Sequence, residues 1–151
     1  MSSKKDIRSL NEDELKEILT NNSFKSFRAN QIFHWIWKKS AHSFDKMSNL
    51  PESLIKFLKD NFTINSIKVH RMQKSLDGTI KNAIKLFDGY IVECVLIPTK
   101  NRITACVSSQ VGCSLNCKFC ATAKLKRMRN LNPDEIYDQV ALINQQSIEH
   151  F

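Results

Sequence analysis

The spacing of hydrophobic residues along the chain changes near residue 62 from a helical period to an alternating one. Before that point, apolar residues recur three and four positions apart, which predicts three amphipathic helices. Asn11 and Glu14 have capping-box spacing ahead of the first helix. Residues 27–39 form a strongly apolar second helix, and Pro51 opens the third. Because the aromatic residues here fall at helical spacing, we assign them to a core rather than to a base-stacking platform.

After residue 62, apolar and polar positions alternate until a helical pattern returns near the end. Four strands are predicted from this alternation, with Asp-Gly turns after the first and the second: residues 64–74, 79–87, 90–97 and 103–108. Asn132, Pro133 and Glu135 then supply a cap side chain, a proline at the first helical position and a reciprocal glutamate. This arrangement predicts a final helix.

The predicted fold class is α/β, in three consecutive segments. We expect a small helical domain over residues 1–62, a short antiparallel β segment over residues 63–98, and the opening of a β/α barrel repeat over residues 99–151. A closed barrel of eight such repeats takes about 250 residues. We therefore expect the chain to be an N-terminal fragment of a longer protein.

Composition bounds the class of protein without naming a function. Hydrophobic residues make up 42% of the chain and charged residues 25%, as in soluble globular proteins. No apolar run approaches a membrane-spanning length, and the first residues lack the apolar core of a signal peptide. Five cysteines without a secretory signal favour a reducing compartment, where thiols bind metal or react. We expect a cytoplasmic protein without a membrane partner.

The net charge of +8 is concentrated in one stretch near the end of the chain. No acidic residue lies between Lys118 and Pro133, and the cationic residues of this stretch are Lys118, Lys124, Lys126, Arg127 and Arg129. A basic run of this kind is either a solvated face or a nucleic-acid contact, since phosphate neutralisation needs clustered Lys and Arg. Charge alone leaves both interpretations open.

Cys113, Cys117 and Cys120 form a compact C-x3-C-x2-C triplet. Three thiolates can hold three irons of a four-iron, four-sulfur cube, which leaves the fourth iron open to a substrate or cofactor. S-adenosylmethionine radical generation is one use of such an open iron. A structural zinc site is the alternative, although its usual signature is two separate cysteine pairs. Chance clustering of structural cysteines is a second alternative.

The residues around this triplet resemble the RlmN/Cfr family of radical S-adenosylmethionine enzymes, which methylate an adenine carbon in RNA. Residues 106–120, CVSSQVGCSLNCKFC, followed by Ala-Thr-Ala, carry the resemblance. It extends through residues 92–98 and 77–79, through 27–32 in the helical segment, and through 129–131. The RlmN branch, which makes C2-methyladenosine in 23S ribosomal RNA and some transfer RNAs, is more similar than the Cfr branch, which modifies C8.

The resemblance implies a partial radical S-adenosylmethionine barrel and assigns cofactor residues. Cys113, Cys117 and Cys120 match the ligands of a [4Fe-4S] cluster whose open iron binds S-adenosylmethionine. Phe119 matches a position near the adenine of the cofactor, and a hydrophobic cover over the cluster is its alternative role. Residues 124–128 are more basic than in family members with Gly-Phe-Asn there.

The resemblance also assigns two residues to the reaction itself. Glu93 matches the proton acceptor, and Cys106 matches the thiol that resolves a protein–RNA adduct through a disulfide. From the pattern alone, Glu93 is a solvent-facing strand residue and Cys106 a buried strand cysteine. Cys94 matches no catalytic residue and is assigned to the core.

The reaction implied by the family uses two S-adenosylmethionine molecules per turnover. One methylates a cysteine in the C-terminal part of the protein, and cleavage of the second gives a radical that activates this methyl group for addition to C2. The implied partners are 23S rRNA, tRNA and a flavodoxin-type electron donor. The basic run would hold RNA near the cluster, and residues 1–62 are a candidate RNA-binding domain.

Two features that the resemblance implies are missing from this sequence: the late methyl-carrying cysteine and the Gly-rich cofactor contacts, since its three glycines are Gly78, Gly89 and Gly112. No cysteine follows Cys120, so we expect these 151 residues alone to be inactive. A monomer is expected.

The rival interpretation is a non-catalytic RNA-binding module with a structural zinc, in which Cys106 or Cys94 is the fourth ligand. Another radical enzyme on the same scaffold is a third.

Overall fold

The computed structural model describes residues 4–115, 117–118 and 122–151, which divide into two compact units, residues 1–65 and 66–151. The first unit is helical, and its three helices confirm those predicted from the hydrophobic spacing: α1 (Glu12–Asn21), α2 (Phe27–Trp37) and α3 (Glu52–Asn61). A parallel pair of two-residue strands, β1 (Lys5–Asp6) and β2 (Phe62–Thr63), joins the two ends of this unit.

The helices form where local signals and burial agree. Asn11 and Glu14 make the predicted capping box, with reciprocal hydrogen bonds of 2.8 Å. Pro51 is the N-cap of α3 rather than its first helical residue. The core of the unit consists of side chains with no exposed surface from all three helices: Leu15, Leu19, Ala29, Ile32, Leu54 and Leu58. Burying them supplies most of the stability of such short helices.

The second unit is a four-stranded antiparallel sheet with one long helix. The strands follow each other in chain order: β3 (Lys68–Lys74), β4 (Ile80–Lys85), β5 (Ile91–Thr99) and β6 (Arg102–Cys106). A small antiparallel pair, β7 (Gln110–Val111) and β8 (Arg129–Asn130), comes next, and then α4 (Pro133–His150). The sheet and the long helix confirm the predicted α/β class.

The sheet continues past residue 98, where the sequence predicted the antiparallel segment to end. Strand β5 runs through Pro98, and β6 pairs with it from Thr99 opposite Arg102 to Val95 opposite Cys106. A proline is tolerated here because β4 ends opposite Leu96, so no β4 residue needs the amide hydrogen that Pro98 lacks.

One face of this sheet is covered by α4, and the other face is exposed and carries charged side chains together with apolar ones such as Ile91 and Ile97. Ile80, Ile84 and Leu96 have no exposed surface on the covered face. The side-chain amides of Asn82 and Gln146 exchange two hydrogen bonds of 2.9 Å across it, which fixes α4 against β4. We call the opposite side of β3–β6 the open face.

Gln139 of α4 ties the helix to the segment that follows β6. Its side-chain amide accepts a hydrogen bond from the Ser108 backbone N–H at 2.8 Å and donates one to the Ser108 carbonyl at 3.0 Å. The buried Gln139 amide thus forms the two hydrogen bonds that a neighbouring strand would otherwise provide to the Ser108 backbone, between β6 and the cysteine triplet. Among the described residues, no helix combines the length and apolar character needed to cross a membrane.

Candidate functional site

The loop that carries the cysteine triplet is closed at its base by β7 and β8. Gln110 pairs with Asn130 and Val111 with Arg129, and the Cys113 N–H donates to the Leu125 carbonyl at 3.2 Å. These contacts hold Cys113 at the start of the loop, directly beside regular structure. The first cysteine of the triplet therefore has a fixed backbone.

Gly112 makes this closure possible. Its φ is +70°, a left-handed conformation that favours glycine, and a Cβ added there would lie 2.2 Å from the Lys126 carbonyl oxygen. The two sides of the loop can approach this closely only because residue 112 has no side chain.

Two amide groups are directed at the Cys113 sulfur. The Leu115 backbone N–H donates to Sγ at 3.3 Å, and the Gln110 side-chain amide nitrogen lies 3.9 Å from it. Arg127 Nε donates to the Gln110 amide oxygen at 3.1 Å, which turns the NH2 group of that amide toward the sulfur. Donors aimed at a sulfur stabilise a thiolate and are typical of cysteines that ligate metals and iron–sulfur clusters.

The other two cysteines of the triplet are only partly within the described residues. Cys117 is half-buried, whereas Cys120 and its neighbour Phe119 lie outside the described residues. Their predicted roles remain predictions. Over the described ranges, no three His, Cys, Asp or Glu side chains lie together as a metal site, and the four described cysteines, Cys94, Cys106, Cys113 and Cys117, are free thiols.

Glu93 and Cys106 lie on the same open face of the sheet, in neighbouring strands. Cys106 is directly opposite Val95, so it is diagonal to Glu93, two residues earlier in β5. Both side chains are exposed, which confirms the expectation for Glu93 and corrects the one for Cys106. The alternation of the sequence identified Cys106 as a strand residue, but it could not tell which face of the sheet the side chain occupies. Cys106 is exposed because α4 covers the opposite face.

Two polar contacts fix the surroundings of Glu93. The Lys81 ammonium lies 3.2 Å from its carboxylate on the open face, and the Ser108 hydroxyl donates to its backbone carbonyl at 2.7 Å. Ser108 is also the residue that Gln139 holds from the covered face. The strand carrying Glu93 and the segment leading to the triplet are thereby joined.

A cavity of about 460 Å³ lies between Glu93 and the base of the cysteine loop. It is lined by residues of β5, of the segment around β7 and of the returning side of the loop: Ile91, Val92, Glu93, Ser108, Gln110, Gly112, Thr122 and Leu125. A volume of this size suits a small-molecule or nucleobase ligand. One concave site thus contains both the carboxylate and the glycine that adjoins the first cysteine.

Comparison with known proteins agrees with this arrangement. Residues 5–64 match the family model for the ribosomal RNA large subunit methyltransferase N-terminal domain. The "Probable dual-specificity RNA methyltransferase RlmN" of Christiangramia forsetii is 62% identical over 148 residues, covering 98% of this chain and 42% of the relative. The corresponding "Dual-specificity RNA methyltransferase RlmN" of Nitratiruptor is 44% identical, covering 93% of this chain and 42% of the relative. The chain belongs to the RlmN family.

A solved structure gives the fold match for this RlmN-family chain. A radical SAM methyltransferase from Sphaerobacter thermophilus superimposes with a TM-score of 0.82 at 35% identity, covering 96% of this chain and 43% of that one. The α/β class is therefore confirmed as that of part of a radical SAM methyltransferase. The chain spans about two fifths of the length of the relatives it matches.

The basic run of this RlmN-family chain divides into two groups in the structure. Arg129 is held by carboxylates: it makes two hydrogen bonds to Glu135, at 2.7 and 2.8 Å, and an ion pair with Asp88 at 2.6 Å. The Glu135 contacts first, and then Asp88, raise the pKa of the Arg129 guanidinium above its ordinary value. Arg129 thus has a structural role, linking the β4–β5 turn to the N-terminus of α4.

The remaining cations of the basic run are exposed. Lys118, Lys124, Lys126 and Arg127 all present their side chains to solvent. Arg127 reaches back to Gln110 and Asn130 through neutral hydrogen bonds, so its charge is uncompensated by those contacts. Their proposed contact with RNA stays a prediction.

Cys94 occupies the core of this RlmN-family chain, as the sequence predicted. It has no exposed surface, and burial raises the pKa of its thiol to about 11. It points to the covered face, whereas Cys106 points to the open face. A zinc site that recruits Cys94 would therefore have to draw it out of the core.

Gln110, Lys81 and Ser108 are site residues that sequence reasoning missed. Gln110 donates toward a cluster-ligand candidate, Lys81 pairs with Glu93, and Ser108 links two segments. Only Lys81 had a signal in the sequence, because strand alternation places it on the same face as Ala83. In the sheet, Ala83 lies directly opposite Glu93. The strand register, which pattern reasoning does not supply, was needed to bring Lys81 to Glu93.

Proposed function

We propose that this chain supplies the cluster-binding loop and part of the substrate site of a radical S-adenosylmethionine methyltransferase that methylates C2 of adenine in 23S rRNA and tRNA. The observation that carries the proposal is the single cavity that joins Glu93 to the base of the cysteine loop, with Cys106 on the same sheet face as Glu93. The names of the similar proteins, RNA methyltransferase and radical SAM methyltransferase, agree with it.

Cys113, Cys117 and Cys120 would hold a [4Fe-4S] cluster in this proposal. The amide donors around the Cys113 sulfur suit a metal-bound thiolate, so the residues present fit the group. When bound, the cluster supplies the one-electron chemistry of S-adenosylmethionine that an unactivated carbon such as C2 requires. Phe119 would lie near the adenine of the cofactor.

Glu93 and Cys106 would act on the adduct between RNA and enzyme. Glu93 would accept the C2 proton through its carboxylate while one electron leaves the radical adduct to a one-electron carrier, and the neighbouring Lys81 would hold that carboxylate on the open face. The Cys106 sulfur then bonds to the sulfur that carries the RNA. The sulfur–carbon bond breaks with its electron pair on carbon, which takes a proton and becomes the methyl group. Their exposure on one face gives both groups access to the same nucleotide.

RNA, a reductant and the cellular setting complete the proposal. The exposed Lys118, Lys124, Lys126 and Arg127 would lie along the RNA backbone near the cluster. The target adenine would be unpaired or flipped out, because C2 cannot be reached inside a base stack. A flavodoxin-type protein would supply electrons to a cytoplasmic monomer. Without the methyl-carrying cysteine, which would lie C-terminal to residue 151, the chain would bind the cluster without completing a turnover.

Anaerobic reconstitution of the purified chain with iron and sulfide tests the proposal. We expect about four irons and four sulfides per chain, with a broad visible absorbance. Cys117→Ala should abolish this loading, whereas Cys94→Ala, which removes a thiol of the covered face, should leave it unchanged. Stoichiometric zinc without sulfide, retained after iron chelation, would refute the proposal and favour the structural-zinc module.

A further inference from the structure

The open face of the sheet carries far more positive than negative charge. Five cationic side chains lie on this face: Lys68, Arg71, Lys81, Lys85 and Arg102. The four strands, which are described throughout, contain a single acidic residue, Glu93, and it also lies on the open face. The face therefore has an excess of four positive charges around one carboxylate.

A β-bulge in β3 contributes to this concentration of charge. Lys68 pairs with Lys85 and Arg71 with Ala83, and the register shifts between Val69 and Arg71. In a regular strand, residues three positions apart point to opposite faces, so the extra residue of the bulge brings Lys68 and Arg71 to the same face. Met72, on the covered face, confirms the assignment, because its sulfur lies 3.6 Å from Gln146 of α4.

The open-face charges are largely uncompensated within the chain. Among the described residues, Lys81 alone of the five has a carboxylate partner, Glu93 at 3.2 Å. Lys68 and Lys85 lie directly opposite each other, an arrangement that destabilises a strand pair through like-charge repulsion. A surface that keeps such a pair is electrostatically suited to a polyanion.

We propose that the open face binds the phosphate backbone of the RNA nucleotides that flank the target adenine. The inference rests on the proposed function and extends it to a surface outside the basic run at residues 118–129. Glu93 belongs both to this face and to the cavity at the cysteine loop, so phosphates on the face would lie beside a base inserted into the cavity. The single carboxylate would then stand alone among cations, at the point where the base enters.

The magnitude of the effect follows from counterion release. For a single strand, each phosphate contact adds about 0.7 to the slope of log affinity against log salt, or about fivefold in affinity at 0.1 M salt. Replacing two contacting lysines should therefore lower the slope by about 1.4 and weaken binding by about 25-fold. Removing the Lys68–Lys85 repulsion should at the same time leave the unfolding midpoint unchanged or raised.

The test compares two double variants of the full chain. Fluorescence anisotropy with a labelled stem–loop RNA of about 20 nucleotides, carrying an unpaired loop adenine, is measured from 50 to 200 mM KCl. We expect Lys68→Gln/Lys85→Gln to show the reduced slope and affinity. The matched control is Lys74→Gln/Lys100→Gln, which removes two exposed lysines of the same unit that lie off the open face, Lys74 on the covered face and Lys100 in the β5–β6 turn, and should bind like the parent chain.

Three results would overturn the inference. One is an equal loss in both double variants, which would mean non-specific attraction. Another is an unchanged slope for the open-face variant while Lys124→Gln/Lys126→Gln loses binding, which would confine RNA to the cysteine loop. A lowered unfolding midpoint in the open-face variant is the last. Failure of the proposed function is separate: it would show as missing iron and sulfide, whereas failure here would show as an unchanged salt slope in a chain that loads its cluster.

Discussion

Gly112 is the position at which a single methyl group should do most damage to the candidate site. Gly112 and Gly89 both have positive φ, +70° and +89°. An added Cβ at Gly89 would meet nothing within 4 Å, whereas at Gly112 it would lie 2.2 Å from the Lys126 carbonyl oxygen. Alanine at these two sites therefore separates the cost of the backbone conformation from the cost of the collision.

The difference between the two variants can be worked from the contacts. Either alanine pays about 1–2 kcal/mol for a left-handed conformation. At residue 112 the strands must also separate by about an ångström, since ordinary van der Waals contact begins near 3.4 Å. That movement breaks the hydrogen bonds from Met128 N–H to the Val111 carbonyl, 2.9 Å, and from Cys113 N–H to the Leu125 carbonyl, 3.2 Å. At about 1 kcal/mol each, Gly112→Ala should cost about 3–4 kcal/mol and Gly89→Ala about 1–2.

Hydrogen exchange measures this difference where it arises. Amides of residues 109–131 should exchange roughly 30-fold faster in Gly112→Ala than in Gly89→Ala, which is the extra 2 kcal/mol expressed as a local opening constant. Iron loading should fall in Gly112→Ala alone, because Cys113 loses its fixed backbone. Equal exchange rates and equal iron content in the two variants would show that the loop base tolerates a side chain, and would refute the reasoning.

Three further predictions concern stability. Arg129→Leu should destabilise the chain by about 3 kcal/mol in urea unfolding, because it leaves the buried carboxylate of Glu135 without its cation. The control Arg127→Leu loses only neutral hydrogen-bond partners and should cost under about 1 kcal/mol. Asn82→Ala should cost about 2 kcal/mol and the double variant with Gln146→Leu less, since the second change removes the stranded amide. Burial raises the pKa of the Cys94 thiol from 9.0 to about 11, so the stability gained from keeping this thiol neutral is complete below pH 9 and is lost as pH rises to about 11. Cys94→Ala should abolish that part of the decline, about 3 kcal/mol for two pKa units.

The elements of the fold were predictable where local chemistry decides them. The capping boxes at Asn11 and Asn132 were read correctly, because side chain and glutamate stand three residues apart in the sequence itself. The strands were recognised from alternation and their turns from Asp-Gly pairs. The prediction that the antiparallel segment ends at Pro98 was wrong. A proline fits inside β5 at this position because the neighbouring strand β4 has already ended, and where β4 ends depends on the strand register.

The candidate site was predictable in its residue types and not in its geometry. The triplet and Glu93 were found from spacing and resemblance, and the cavity between them depends on how β5 and β7 are placed. The basic run shows the same limit. Sequence charge treats Arg129 and Arg127 alike, yet the structure gives one of them two carboxylates and the other only amides. Neutralisation by partners distant in sequence has no local signal.

One face of the sheet in this chain stabilises the fold, and the other carries the residues proposed for the chemistry. On the covered face, Asn82 exchanges two hydrogen bonds with Gln146 of α4, which fix the helix against the sheet. On the open face, Glu93 and Cys106 stand exposed among cations with few partners. Because side chains alternate with a period of two, a one-residue slip of β5 would bury Glu93 against α4 and expose the residue beside it. Hydrophobic burial on one face therefore sets the register that puts Glu93 and Cys106, the proposed catalytic residues, on the other. The β-bulge of β3 acts in the same way, since it brings Lys68 to the open face and leaves the buried residues of the covered face in place.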